Sequence, residues 1–257
     1  MIAAPQHENA DSRNTTRLPA KFIVVCTIAF VAGVSTTAYF IRSMGDEMEM
    51  PGGWKMSMMW MRMPGETWLA SGLSFLYMWL AMMVAMMMPS ALPTFLKTRR
   101  QWYSLCYMML GYFAVWLIAG AGIYVLGIPF AMAAMQSVLF SHIVPLLLGT
   151  SLIAAGAIQF TRWKTVHLLR CRSSYGCAVP CPQDKGSFRI GCKQGIACCM
   201  CCAAPMMIQL TLGIMNPLVM IVIAIAIAAE KLLPRPVITA RLIGSAAILT
   251  GIGVCLL

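Results

Sequence analysis

The stretch "IACCMCCAAPMMIQLTLGIMNPLVMIVIAIAIAA", Ile196 to Ala229, contains no charged residue. As one helix it would reach about 50 Å, well beyond the ~30 Å of a bilayer's hydrocarbon core. Gly213, Asn216 and Pro217 interrupt it, and proline cannot continue a helix that lacks its N–H bond. The stretch therefore reads as a tight hairpin of two short helices, and that choice sets the parity of the whole chain.

Working outward, the same density of apolar residues recurs. The chain has 257 residues, 60% of them hydrophobic and 11% charged, with a mean hydropathy of +0.78. Soluble domains do not have this composition. Candidate spans are Phe22–Ile41, Trp68–Met88, Leu105–Gly127, His142–Phe160, Ile196–Gly213, Pro217–Leu233 and Val237–Leu257. None alternates every second residue as a membrane barrel strand does. The expected class is all-α: a polytopic transmembrane helical bundle of about seven spans with a cytoplasmic N-terminus. A polar tail occupies 1–21, and a single transmembrane domain occupies 22–257. The first span is longer than a signal-peptide core and reads as an uncleaved anchor.

Basic residues test that parity, because Lys and Arg favour short cytoplasmic segments. With the N-terminus inside, Arg13, Arg17, Lys21, Lys97, Arg99, Arg100, Arg162, Lys164, Arg170, Arg172, Lys185, Arg189, Lys193, Lys231, Arg235 and Arg241 fall on the cytoplasmic face, and only Arg42, Lys55 and Arg62 fall outside. Six spans would put Lys231, Arg235 and Arg241 on the wrong side. The net charge of +11 thus reports orientation, and no nucleic-acid partner is expected. An external Met-rich loop spans 42–67, and a basic, Cys-bearing cytoplasmic loop spans 161–195.

Two groups of sulfur stand out. In the external loop, "GDEMEMPGGWKMSMMWMRMPGETW" (Gly45 to Trp68) holds Met48, Met50, Met56, Met58, Met59, Met61 and Met63, with Met44 just before it. Thioethers are soft ligands that suit Cu(I), and they form no disulfides in an oxidising compartment. The same Met residues with Trp54, Trp60 and Trp68 would also suit an interfacial segment in the headgroup region. The second group is Cys171, Cys177, Cys181 and Cys192 followed by Cys198, Cys199, Cys201 and Cys202, most of the eleven cysteines. Clustered thiols on the reducing side point to metal or redox chemistry, yet the spacings match neither a zinc ribbon nor a ferredoxin.

Helical spacing links the groups. Cys198, Cys202 and Met206 follow at i, i+4 and i+8 with Gln209 close to the same face, and Met78, Met82 and Met86 do likewise in the second span. Side by side these faces would form a sulfur-lined seam, although methionine also fills helix contacts. Pro205 would free a carbonyl inside the membrane, which is tolerated only where protein or a cavity covers it. His167 lies one turn before Cys171 and is a candidate ligand. His142 reads as a loop ligand or a headgroup residue, and Glu230 and Lys231 as a pair or a snorkelling end. No P-loop, no G-x-S-x-G and no paired intramembrane carboxylates occur, and three histidines with none in mid-membrane leave haem without ligands. No enzymatic activity is expected.

The segments "MWLAMMVAMMMPS" (Met78–Ser90), "GAIQFTRWKTVHLLRCR" (Gly156–Arg172), "GIACCMCCAAPM" (Gly195–Met206) and "GIMNPLVM" followed by Glu230–Lys231 resemble, in order, a bacterial family of predicted metal-binding integral membrane proteins. The resemblance runs from about Met44 to the C-terminus and implies a multi-pass protein of the bacterial inner membrane. Cys171, Cys198, Cys201, Cys202, Met206 and Met215 match the family's sulfur residues. His167 stands where Cys is common and Ala203 where Trp is usual, and Cys177, Cys181 and Cys192 are additional. The expected metal ligands are Met48, Met50, Met56, Met58, Met59, Met61, Met63, Met82, Met86, His167, Cys171, Cys198, Cys201, Cys202 and Met206. The expected cargo is Cu(I), or another soft metal, with a membrane oxidase or a copper chaperone as partner. Two other readings stay open: a scaffold or assembly subunit of a membrane complex, and a thiol-based redox protein.

Overall fold

A computed structural model describes residues 20–44, 47–50, 53–57, 60, 65, 67–96, 102–172 and 184–256. The elements are α1 (Ala20–Met44), β1 (Glu47–Glu49), β2 (Lys55–Ser57), α2 (Trp68–Leu96), α3 (Trp102–Gln136), α4 (Val138–Ile158), α5 (Arg162–Arg172), α6 (Asp184–Leu212), α7 (Pro217–Leu232) and α8 (Pro236–Leu256). The protein is an all-α helical bundle carrying one small β-hairpin. Among the described residues, six helices are long and apolar enough to cross a membrane: α1, α2, α3, α4, α6 and α8. The seventh expected span is α7, whose 16 residues cover about 24 Å.

The break that decides the fold lies where the sequence places it. Gly213 takes φ +113°, a left-handed conformation that suits glycine. The Asn216 side chain caps α7 by accepting from the Leu218 and Val219 N–H groups, and Pro217 fills the first helical position. Elsewhere the expected limits need correction. Helix α3 runs 35 residues, beyond the Gly127 limit, and only the Ser137 cap separates it from α4. The fifth span begins at Asp184, far before Ile196. Much of the expected 161–195 loop is therefore helix, with α5 packed against α6. Cys177 and Cys181 lie outside the described residues.

Small residues allow the closest helix pairs. A side chain at Gly111 would meet the Phe188 carbonyl, and one at Gly191 the Met108 carbonyl. Gly195 lies against Tyr112, so α3 and α6 run parallel in a fixed register. Gly149 and Gly156 on α4 face Gly251 and Gly244 on α8 in the same manner. Along α2, Met78, Met82, Met83, Met86, Met87 and Met88 are all buried in the central core. Leu69, Ile118, Leu126 and Leu139 face outward and exposed, an apolar outer surface suited to hydrocarbon.

Candidate metal centre

The middle of α6 sets three thiols inward. Cys198, Cys201 and Cys202 follow at i, i+3 and i+4, so they share one helical face, and all three are fully buried. Cys199, rotated off that face, is only half-buried. Helix α5 lies across the same end and supplies Cys171. The sulfurs of Cys171, Cys198 and Cys201 lie within 4.8 Å of one another. A triangle with edges of that length has its centre about 2.8 Å from each corner, close to a metal–thiolate bond of ~2.3 Å. Cys202 adjoins the group, its sulfur 3.5 Å from that of Cys201 and 3.8 Å from that of Cys198. A small contraction would therefore give three sulfur ligands, with a fourth beside them.

The polar surroundings are the part that sequence reasoning missed. Lys231 Nζ donates to Cys198 Sγ at 3.0 Å and to Ser90 Oγ at 3.2 Å, and Met87 Sδ lies 3.9 Å away. Tyr112 Oη lies 2.9 Å from Cys198 Sγ. Gln194 Nε2 donates to the Cys171 carbonyl, which ties α5 to α6. A cavity of about 140 Å³, bordered by Ser90, Tyr112, Cys171, Gln194, Cys198 and Lys231 among others, opens beside the sulfurs. The ammonium of Lys231 places positive charge where metal-bound thiolates would gather negative charge. The Cys171 thiol is pushed up to about 12, first by its hydrogen bond with Cys198 and also by burial. At neutral pH it keeps its proton until a metal displaces it.

A second network holds the centre from behind. Pro205 has no N–H, so the Cys201 carbonyl one turn earlier loses its helical partner. Lys164 Nζ donates to that carbonyl at 2.6 Å and pairs with Glu230 Oε2 at 2.7 Å. Gln159 Nε2 donates to the other carboxylate oxygen at 3.1 Å. The Lys164 and Glu230 side chains are each 1% exposed. Lys164, read from the sequence as a cytoplasmic orientation marker, is thus also half of a buried ion pair, and Glu230 and Lys231, read as a pair or a snorkelling end, are neither. Neighbours on a helix point about 100° apart: Glu230 turns to Lys164, and Lys231 turns to Cys198. The freed carbonyl expected at Pro205 is present and covered. The signal for the network was available in the quoted segments, where Gln159, Lys164, Glu230 and Lys231 all stand.

The other expected ligands are dispersed. Met82, Met86 and Met206 are buried in the same core as the cysteines, and on α2 it is Met87 that reaches Lys231. His167 is half-buried, lies tilted by 36° against Trp163 with ring centroids 4.5 Å apart, and has Nδ1 2.9 Å from the Trp163 carbonyl. The three-cysteine group does not include it. In the hairpin Met48 lies opposite Met56. Met50 and Met56 are buried against Ala131, Ala134 and Val144 of α3 and α4, and Trp54 donates to Ser141. Met58, Met59, Met61 and Met63 lie outside the described residues. His142 is exposed near this hairpin end. From Tyr112, beside Cys198, to Ala131, beside the hairpin, α3 climbs about 28 Å, so the two sulfur groups occupy opposite ends of the bundle.

A buried multi-thiol cluster with an adjacent ammonium, inside a bundle of apolar helices, is an arrangement that could hold a metal ion. A family model described as copper chaperone, PpoB2, matches residues 76–254, and the chain belongs to that family. The match covers α3 to α7, and with them the whole thiol cluster. No curated protein and no solved structure is matched by the chain.

Proposed function

We propose that this chain is a membrane-embedded Cu(I) carrier: Cys171, Cys198 and Cys201 bind the ion, Cys202 assists exchange, and the protein delivers it to a copper-dependent partner such as a membrane oxidase. The observation that carries the reading is the convergence of three buried thiols from two helices in a member of a copper-chaperone family. Thiolates select a soft ion such as Cu(I) over hard cations. Helix lengths and the basic residues support a multi-pass membrane protein with the cysteine centre toward the cytoplasm and the hairpin outside, and the resemblance to a bacterial family supports an inner membrane.

On this reading the hairpin methionines collect the ion, the buried methionines of α2 and α6 offer weak intermediate ligands, and the thiolates retain it. A series of similar weak sites lets an ion move on, whereas one deep site only stores it. The role is binding and transfer rather than catalysis. Detergent-purified protein should hold Cu(I) against a competing chelator, and replacing Cys198, Cys201 and Cys202 together by Ser should abolish that retention. Wild-type affinity in the triple variant contradicts the proposal. Oligomeric purification with a fixed partner and no metal would favour the scaffold reading instead.

A further inference from the structure

Gln209 lies on α6 about three turns beyond Cys198, or some 16 Å along the axis, so it returns to the same face. Its side chain is 1% exposed. Among the described residues neither its Oε1 nor its Nε2 has a hydrogen-bond partner. An amide with both ends unpaired is among the costlier groups a helix can bury in an apolar bundle, since no water is at hand to satisfy it. A leucine would pack there without that cost. Stability therefore gives no reason for glutamine, and a polar group kept inside a membrane helix points to a function.

Two methionines close to it in the chain indicate which partner it meets. Met206, one turn earlier on the same face, is buried, and Met215, just past the Gly213 turn, is buried in the same core. Thioethers are soft donors, and an amide oxygen from Gln is a known supplementary ligand in copper sites. The parallel register of α3 and α6 places Gln209 between the cysteine centre and the hairpin end, where Trp60 covers Gly127. We infer that Gln209 Oε1 and Met206 Sδ form a second, weaker Cu(I) site midway between the hairpin and the cysteines. The inference rests on the reading of this chain as a Cu(I) carrier.

The chemistry of such a site differs from that of the cysteine centre. Both ligands are neutral, so Cu⁺ enters and leaves as Cu⁺, with no proton moved and no electron transferred. The bonds to Met206 and Gln209 break as those to the thiolates form. The displaced thiol protons leave only at the cysteine centre. Weak neutral ligation makes this a place of transit.

The test uses the full-length protein in detergent. A Cys171→Ser, Cys198→Ser, Cys201→Ser, Cys202→Ser background is titrated with Cu(I), with and without Gln209→Leu or Met206→Leu. Each added substitution should remove about one equivalent of the residual copper, and metal-free Gln209→Leu should melt no lower than its parent. The same Gln209→Leu change in otherwise wild-type protein should remove one weak equivalent and leave the tight one, which keeps the test available if the serine background fails to fold. Residual copper unchanged by both substitutions, or a lower melting temperature of metal-free Gln209→Leu, overturns the inference. Wild-type protein that binds no Cu(I) overturns this inference and the proposed function together, whereas tight binding insensitive to Gln209 removes only the second site.

Discussion

The cysteine centre and the methionine hairpin are both dense in sulfur and lie at opposite ends of the same bundle, yet they are built differently. Around the cysteines, α2, α3, α5, α6 and α7 each bring a polar or sulfur group. The ammonium of Lys231, itself donating to the Ser90 hydroxyl, the Tyr112 hydroxyl, and the pair of Lys164 with Glu230 act on the thiols or on their backbone. Around Met50 and Met56 the buried neighbours are Ala131, Ala134 and Val144, with Met48, Trp54 and Trp60 partly buried beside them, a surrounding that is almost wholly apolar. The lesson is that ligand atoms in number do not make a preorganised site. Charge and hydrogen bonds that anticipate the bound state do, because they hold ligands in place before the ion arrives.

That contrast can be broken or sharpened by substitution. The largest effect is expected from Cys198→Ser with Cys201→Ser, which should lower Cu(I) affinity by more than about a hundredfold in a chelator competition, since two of three sulfur donors are lost. Next is Glu230→Gln, which leaves the Lys164 ammonium buried without its counter-charge. Destabilisation of about 3–5 kcal/mol is expected by chemical unfolding, and a double replacement of Lys164 and Glu230 by Met should recover much of it. Lys231→Met should weaken Cu(I) binding by about tenfold, as loss of a supporting group around a metal typically does. Met50→Leu with Met56→Leu should change the affinity of the cysteine centre least, by less than about twofold, because the hairpin stands at the far end of α3. An effect on the centre equal to that of Lys231→Met would erase the distinction drawn between the two regions.

Acidity should move the two regions apart as well. The Cys171 thiol is pushed up from 9.0 to about 12, first by its hydrogen bond with Cys198, so its contribution to stability is full below the ordinary thiol value and is lost as pH rises from there to about 12. Metal binding must displace the proton. Affinity at the centre should therefore fall by about tenfold per pH unit of acidification for each proton displaced, while thioether sites, which carry no proton, should be indifferent. Parallel titrations at two pH values, read by copper bound, check both.

The sequence made the helices legible and the site only half so. Long apolar runs, the Gly213–Asn216–Pro217 break and the spacing of Cys198, Cys201 and Cys202 are local features, and each survives in the fold. The start of α6 at Asp184 was not legible, because a charged, glycine-containing segment looks like loop until α5 and α3 are seen to pack on it. The quoted segments contain both members of the Lys164–Glu230 pair, but spacing alone does not join them. Glu230 lies far along the sequence from Lys164, and a lone lysine beside a span resembles any orientation marker. His167 shows the reverse error: helical spacing from Cys171 is satisfied, but the ring rests on Trp163.

The most direct test is X-ray absorption at the copper edge on full-length protein loaded with one equivalent of Cu(I), alongside the Cys171→Ser, Cys198→Ser, Cys201→Ser variant. The account predicts sulfur scatterers only, about three per copper at thiolate distances, and loss of that shell in the variant. Nitrogen or oxygen coordination in the wild type, or an unchanged sulfur shell in the variant, would contradict it.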